Sequence, residues 1–212
     1  MYVYDNDAPC PLKGDQKQPP PAGGVGGGKM NIFITIMNNL TLDELFPIVD
    51  KDGNEISRAL RSVCHDGRSK LLHPVVHMHL FNGKGELFLQ KRAMTKDLLP
   101  GYWDTSVGGH MSPGESADEA LKREALEELG LKEFTYKFIR KYIWESPREK
   151  ELVYSFKGFS EDYPVINNDE IEDGRFWAME EIENNLGKTI FTPNFKHEFI
   201  MIFITPQETI KI

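Results

Sequence analysis

The sequence predicts an α/β fold built on a hairpin-rich mixed β-sheet. Short apolar and β-branched runs alternate with turn residues through most of the chain, a bounded amphipathic helix interrupts them near residue 120, and a second helical pattern closes the sequence. Two helices, one on each side of such a sheet, would make an α/β/α sandwich, a topology that the periodicity alone does not select. With 212 residues, 40 % hydrophobic and 27 % charged, the chain can bury one substantial core without splitting in two.

The elements follow in order. Residues 1–29 contain PCPLKGDQKQPPPAGGVGGGK, a Pro and Gly tract with too few apolar groups to offset the entropy of ordering. Regular patterning begins only after Leu40, and Met30 and Met37 could each serve as a start. The expected organisation is a disordered leader over 1–37 and one domain over 38–212. LFPIV reads as a strand that ends in the turn DKDG at 50–53, and HPVVHMHLF and ELFLQKR read as a hairpin joined by NGKG at 82–85. WDTSV is extended and leads into a glycine-rich loop. FTYKFIRKYIW and ELVYSFKGF form a further strand pair around SPREK, DGRFWAM passes from a strand into the helix EEIENNL, and NFKHEFIMIFI closes the chain as an amphipathic helix.

The central helix carries the chemistry. Ser116 with Glu119 is a capping-box pair and Gly130 a C′ residue, so the helix is bounded at Ser116 and Leu129. Ala117, Leu121, Ala125 and Leu129 give one apolar stripe, while Glu124, Glu127 and Glu128 gather at i, i+3 and i+4 on another face. Like charges at i, i+4 cost about 0.2–0.5 kcal/mol per pair, and Arg123 offsets only part of that. A hard cation such as Mg²⁺, which takes a few carboxylate oxygens and substrate phosphates, would offset the rest. A Glu-rich solvated helix face is the plain alternative. Against it stand Gly109, Pro113 and Gly114, which allow a tight loop to bring Glu115 towards that face.

Gly109, Glu115, Arg123, Glu124, Glu127, Glu128 and Gly130 fall at the spacing G-x5-E-x7-R-E-x2-E-E-x-G. At roughly 7 % per residue type, seven fixed positions coincide about once in 10⁸ windows. The run matches the Nudix box, and the chain resembles the Nudix family of metal-dependent, pyrophosphate-cleaving enzymes. Ala125 stands where that family usually has a larger aliphatic residue, a difference of packing rather than chemistry. The resemblance implies a Nudix α/β/α sandwich around a mixed sheet and a loop-helix-loop unit that holds Mg²⁺ or Mn²⁺. In that unit Glu127 and Glu128 bind metal, Glu124 joins them or acts on the attacking water, Glu115 is a further metal ligand, and Arg123 orients carboxylates.

The stretch LLHPVVHMHLFNGKGELFLQKRAMTKDLLPGYWDTSVGGH is also similar to isopentenyl-diphosphate isomerases, which share the Nudix fold. The resemblance implies a divalent metal held by histidines and a Glu-x-Glu pair, with His65 and His73 near the first two histidines, His110 matching the third, and Glu149 and Glu151 matching the acidic pair. The interval from His65 to His73 is one residue longer than that pattern. The isomerases need a catalytic cysteine two residues before the matched histidine, where this chain has Gly108. They also usually carry a degraded box, whereas Arg123, Glu124, Glu127 and Glu128 are intact here. The balance favours hydrolysis, with Glu149 or Glu151 as general base or extra ligand. His77 and His79 lie on one face of their strand and read as polar groups at a sheet surface.

Charge narrows the partners. A net charge of −8 and a pI near 5.3, with no basic patch, disfavour nucleic acid polymers and anionic membranes. A polyanionic substrate would need metal to invert the local charge. Cys10 and Cys64 make no disulfide framework, and no run approaches the ~20 apolar residues of a membrane span. The expectation is a cytoplasmic enzyme that cleaves a diphosphate linkage in a nucleoside diphosphate derivative or another small organic diphosphate. An isopentenyl-diphosphate isomerase and a noncatalytic Nudix-fold binding module are the alternatives.

Overall fold

The structure, a computed structural model, describes residues 43–96 and 98–205. The expected leader lies outside these residues. A hairpin of β1 (Leu45–Val49) and β2 (Glu55–Leu60) forms a separate two-stranded sheet, followed by one helical turn, α1 (Arg61–Cys64). The main sheet holds β3 (Leu72–Phe81), β4 (Leu87–Arg92), β5 (Trp103–Asp104), β6 (Val107–His110), β7 (Thr135–Glu145), β8 (Lys150–Phe159) and β9 (Ile171–Trp177). It is mixed. β3 runs parallel to β8 on one side and antiparallel to β6 on the other, while β4 departs from β3 after the pair Phe81–Leu87 to join β5 and β9.

Helix α2 (Ala117–Leu129) has the boundaries its caps dictate. The Ser116 side chain accepts from the Glu119 N–H, the Glu119 carboxylate accepts in return from the Ser116 N–H, and Gly130 takes a left-handed φ of 63°. Leu121, Ala125 and Leu129 are fully buried against Val76, Met78, Leu80 and Val107 on one face of the sheet. Burial of the two leucines alone contributes about 3–6 kcal/mol.

The opposite face is covered by α3 (Met179–Asn185) and α4 (Pro193–Phe199), whose Ile182, Phe195 and Phe199 pack on Phe81, Leu87 and Leu89. Helices on both faces of a mixed sheet make the expected sandwich. Two details differ from the sequence reading. EISRAL forms β2, a strand whose mostly exposed side chains give no apolar alternation. NFKHEFIMIFI is not one regular helix, because α4 gives way at Ile200–Ile204 to a π-helical turn. Among the described residues no helix is long and apolar enough to cross a membrane.

Candidate active site

Strand β6 is the wall between two sets of donors. Successive side chains in a strand point to opposite faces, and the register Met78–Val107, His77–Gly108, Val76–Gly109 and Val75–His110 fixes which residues share a face. Val107 and Gly109 lie with Val76 and Met78 on the α2 side. Gly108 and His110 lie with His73, His77 and His79 on the α4 side.

On the α2 side Arg123 organises the carboxylates. Its Nε and Nη2 donate to the two oxygens of Glu115 at 2.8 and 2.9 Å, Nη1 donates to Glu124 at 2.7 Å and to Glu127 at 3.4 Å, and Nη2 also reaches the backbone carbonyl of His110 at 2.9 Å. Glu115 accepts a further bond from the Ser112 N–H at 2.8 Å, so both its oxygens are engaged. These bonds hold its carboxyl below the usual range, and they clamp the Arg123 guanidinium in place. Gly109 makes room for the Glu124 carboxylate. A Cβ at this position would lie 2.0 Å from Glu124 Cδ.

Glu128 turns inward, 7 % exposed, and accepts from the Gln90 side chain and the Gly108 N–H, each at 3.1 Å. Burial, then the charge of Glu124, pushes its pKa up to about 8. Burial likewise raises Glu124, and Glu170, in the turn before β9, adds like charge to both. Glu127 is half exposed, lies 3.4 Å from Arg123 Nη1 and adds its like charge to Glu124. This is a set of charge-frustrated carboxylates that a cation would relieve.

On the α4 side the sequence-distant residues converge. His65, His73 and His110 each offer a nitrogen, and His73, Glu149 and Glu151 each offer a ligand atom, with the atoms of each trio within 4.8 Å of one another. Among the described residues these are the trios that meet that spacing, and the box glutamates form none. His65 Nε2 lies 3.2 Å from His110 Nε2 and 3.0 Å from Glu149 Oε2. The His73 ring is oriented by its Nδ1 on the Leu71 carbonyl at 3.0 Å, which leaves a buried Nε2 with no partner. The ring of Phe46 from β1 stacks on His110 at 4.2 Å and roofs the cluster.

The donor chemistry fits a metal. Burial lowers all three histidines, His65 to about 4, so each keeps a neutral lone pair at pH 7. Burial raises Glu149 and takes Glu151 up to about 8, with the charge of Glu149 added in the second case. An orphaned imidazole nitrogen beside uncompensated carboxylates has the character of an incomplete ligand set. The expected general-base candidates Glu149 and Glu151 thus group with the histidines.

Three further features escaped the sequence reading. His77 and His79 are not surface groups, because both are buried under α4 with Glu198 between them. Asn194 Nδ2 donates to Glu151 at 3.2 Å and its Oδ1 accepts from Tyr142 at 3.1 Å, which ties α4 to the Glu-x-Glu strand. One signal was available for Glu198. It sits at i+3 from Phe195 and beside Phe199, a carboxylate on the apolar stripe of its helix. Cys64 is fully buried with Phe46 and Ile48, and burial pushes its thiol up to about 11, so it offers no thiolate in place of the residue at 108.

A Glu-rich helix clamped by arginine against a Gly-Gly-His strand defines the class of protein. The match to known families agrees: residues 71–199 fit the NUDIX domain, and the chain belongs to the Nudix family. It is 34 % identical over 135 residues to an uncharacterized Nudix hydrolase, lmo0368, of Listeria monocytogenes, covering 58 % of this chain and 74 % of that one. It is 31 % identical over 160 residues to isopentenyl-diphosphate Delta-isomerase 1 of Photorhabdus laumondii, covering 72 % and 90 %. In fold it resembles DR0079 from Deinococcus radiodurans, with a TM-score of 0.65, 22 % identity and coverage of 76 % and 99 %. A MutT protein from Methanosarcina mazei gives a TM-score of 0.54 at 23 % identity, covering 62 % and 92 %.

Proposed function

We propose that this protein is a Mg²⁺- or Mn²⁺-dependent hydrolase that cleaves a diphosphate linkage in a nucleoside diphosphate derivative or other small organic diphosphate. The observation that carries the reading is the complete box: part-buried Glu124 and buried Glu128, mutually repelling, with Glu127 beside them, organised by Arg123. Glu124, Glu127 and Glu128 would hold metal on the α2 side, and His65, His73, His110, Glu149 and Glu151 would hold a second ion on the α4 side. Bound metal supplies charge neutralisation at phosphoryl oxygens and an acidified water. Glu115 and Arg123 fix the carboxylate geometry, and Glu124 or Glu127 accepts the proton from water.

The histidine and Glu-x-Glu cluster also favours a second reading, a diphosphate isomerase like the Photorhabdus relative. Gly108 weighs against it, because glycine has no group to carry a proton at carbon. The test is turnover by purified protein with Mg²⁺ or Mn²⁺ on nucleoside diphosphate sugars, dinucleotides, coenzyme A, nucleoside triphosphates and isopentenyl diphosphate. Metal-dependent release of a phosphate-containing product is expected from at least one of them. A shift of the double bond without phosphate release would overturn hydrolysis in favour of isomerisation.

A further inference from the structure

The space where a thiol would stand is faced by another group. A Cβ at Gly108 would lie 3.6 Å from His77 Cδ2 and 3.8 Å from His77 Nε2. His77 is directly across from Gly108 in the β3–β6 register, on the face that carries His73, His110 and Glu151. Its other nitrogen is fixed: Nδ1 is 2.7 Å from Glu198 Oε2, a fully buried carboxylate on α4. An ionised Glu198 makes Nδ1 the donor, which directs the working end of the ring, Nε2, at the opening beside Gly108. Among the described residues Nε2 has no hydrogen-bond partner.

We propose that His77 is a substrate-contacting residue, held by Glu198 as its positioning residue, and that Nε2–H donates to a phosphoryl oxygen seated in the space that Gly108 leaves open. The inference rests on the diphosphate reading and adds a cationic donor to it. Ser155, the β8 neighbour of His77 in register, is fully buried with an unpartnered Oγ, a second polar atom on this face left for a ligand. The π-helical turn follows Glu198 almost at once, and its Phe203 meets the His79 ring edge-on at 5.3 Å.

The charge environment agrees with a donor. Burial alone would lower His77, but the charge of Glu198 and its hydrogen bond, with Glu151 and Asp104 behind them, raise it to about 9. His73, His79, His110 and Glu151 are the other titratable groups on this face, and Tyr142 from β7 and Asp104 from β5 stand near the same carboxylates. His79 Nε2 lies 3.2 Å from Glu198 Oε1 without hydrogen-bond alignment. With Nδ1 held by Glu198, a protonated His77 carries its second proton on Nε2, and an anionic oxygen is the fitting partner for it.

The probe is inorganic pyrophosphate with Mg²⁺, with affinity read by calorimetry and the His77 Nε2 signal read by ¹⁵N NMR of histidine-labelled full-length protein. Pyrophosphate should shift that signal in the wild type. His77→Gln should weaken binding at least tenfold. Should His77→Gln fail to fold, Gly108→Ala tests the same space. Its Cβ makes only ordinary contacts, the nearest 3.4 Å from Thr105 Cγ2, and it should weaken pyrophosphate at least fivefold at unchanged melting temperature. No Nε2 shift at saturating pyrophosphate, no wild-type binding, or unaltered affinity in the variants would overturn the proposal. Pyrophosphate binding that depends on His77, in a protein that turns over no diphosphate substrate, would instead refute hydrolysis and uphold the contact.

Discussion

Gly109→Ala should disable the enzyme while barely touching the fold, and the structure sets both magnitudes. The new Cβ would meet Glu124 Cδ at 2.0 Å, Oε1 at 2.1 Å and Cγ at 2.4 Å. To reach the 3.4 Å at which ordinary contact begins, the Glu124 carboxylate must retreat by about 1.4 Å. It is the end of a flexible side chain, so it can move, and what breaks is its 2.7 Å bond to Arg123. With Arg123 about a third exposed, that bond is worth about 1 kcal/mol, or roughly 2–4 °C of melting temperature in a domain of this size.

The catalytic loss should be far larger. A misplacement of ~1 Å in a reacting group can cost about 10²-fold, so kcat/KM should fall by about that factor on whichever substrate the wild type cleaves best. The assay pairs phosphate release at saturating Mg²⁺ with a thermal melt. A variant within roughly threefold of wild-type kcat/KM would refute the placement of Glu124 in the reaction. A large loss of melting temperature would show that Gly109 serves folding instead.

Glu127→Gln and Glu128→Gln should each lower turnover by orders of magnitude with native circular dichroism, and near-normal activity in both would remove the box from the mechanism. Metal-free Glu128→Gln should melt no lower than wild type, because it removes a buried charge whose pKa burial already raises. Protons compete with metal at Glu128 and Glu151, both raised to about 8, so apparent Mn²⁺ affinity should increase from pH 6 to pH 8.5, and a flat titration would contradict that. His77 is raised above its unfolded value near 6.5, so its contribution to stability is complete below that pH and is lost as pH rises through about 9. Glu128 and Glu151 push in the same direction, so His77 is read as a difference: the wild type should lose about 5–10 °C more than His77→Gln between pH 7 and 9.5. Equal losses would deny the shift. Dimethylallyl diphosphate should not form from isopentenyl diphosphate in the native protein, and Gly108→Cys should gain a trace of it by NMR; efficient native isomerisation would reverse the assignment.

Local rules made much of this legible. The capping box, the four-residue apolar spacing and Gly130 delimit α2 because each acts within a few residues, and the Asn82–Gly85 turn fixes the β3–β4 hairpin for the same reason. The missed parts depend on contacts far apart in sequence. β2 forms by pairing with β1, although most of its side chains are exposed. Glu198 reads as an ordinary helix carboxylate until α4 is laid over β3, 121 residues away, where it meets His77. The identities of the box residues and of the histidine set were readable from spacing, but their separation by β6 was not, because it follows from the register of Gly108, Gly109 and His110 against β3.

That register explains how one box can stand beside different chemistry. The α2 side grips β6 through its backbone: Glu128 accepts from the Gly108 N–H, and Arg123 donates to the His110 carbonyl. Backbone bonds do not depend on the side chain at 108. A thiol or a hydrogen can therefore occupy the opposite face without disturbing the carboxylates, provided the next residue stays glycine to admit Glu124. The two positions answer to different constraints, sterics at 109 and reaction chemistry at 108. Relatives of this chain accordingly include proteins named as Nudix hydrolases and as isopentenyl-diphosphate isomerases. In this chain the choice at 108 leaves the α4 face to His77, and the group that faces the space beside Gly108 is an imidazole backed by a buried carboxylate rather than a thiol.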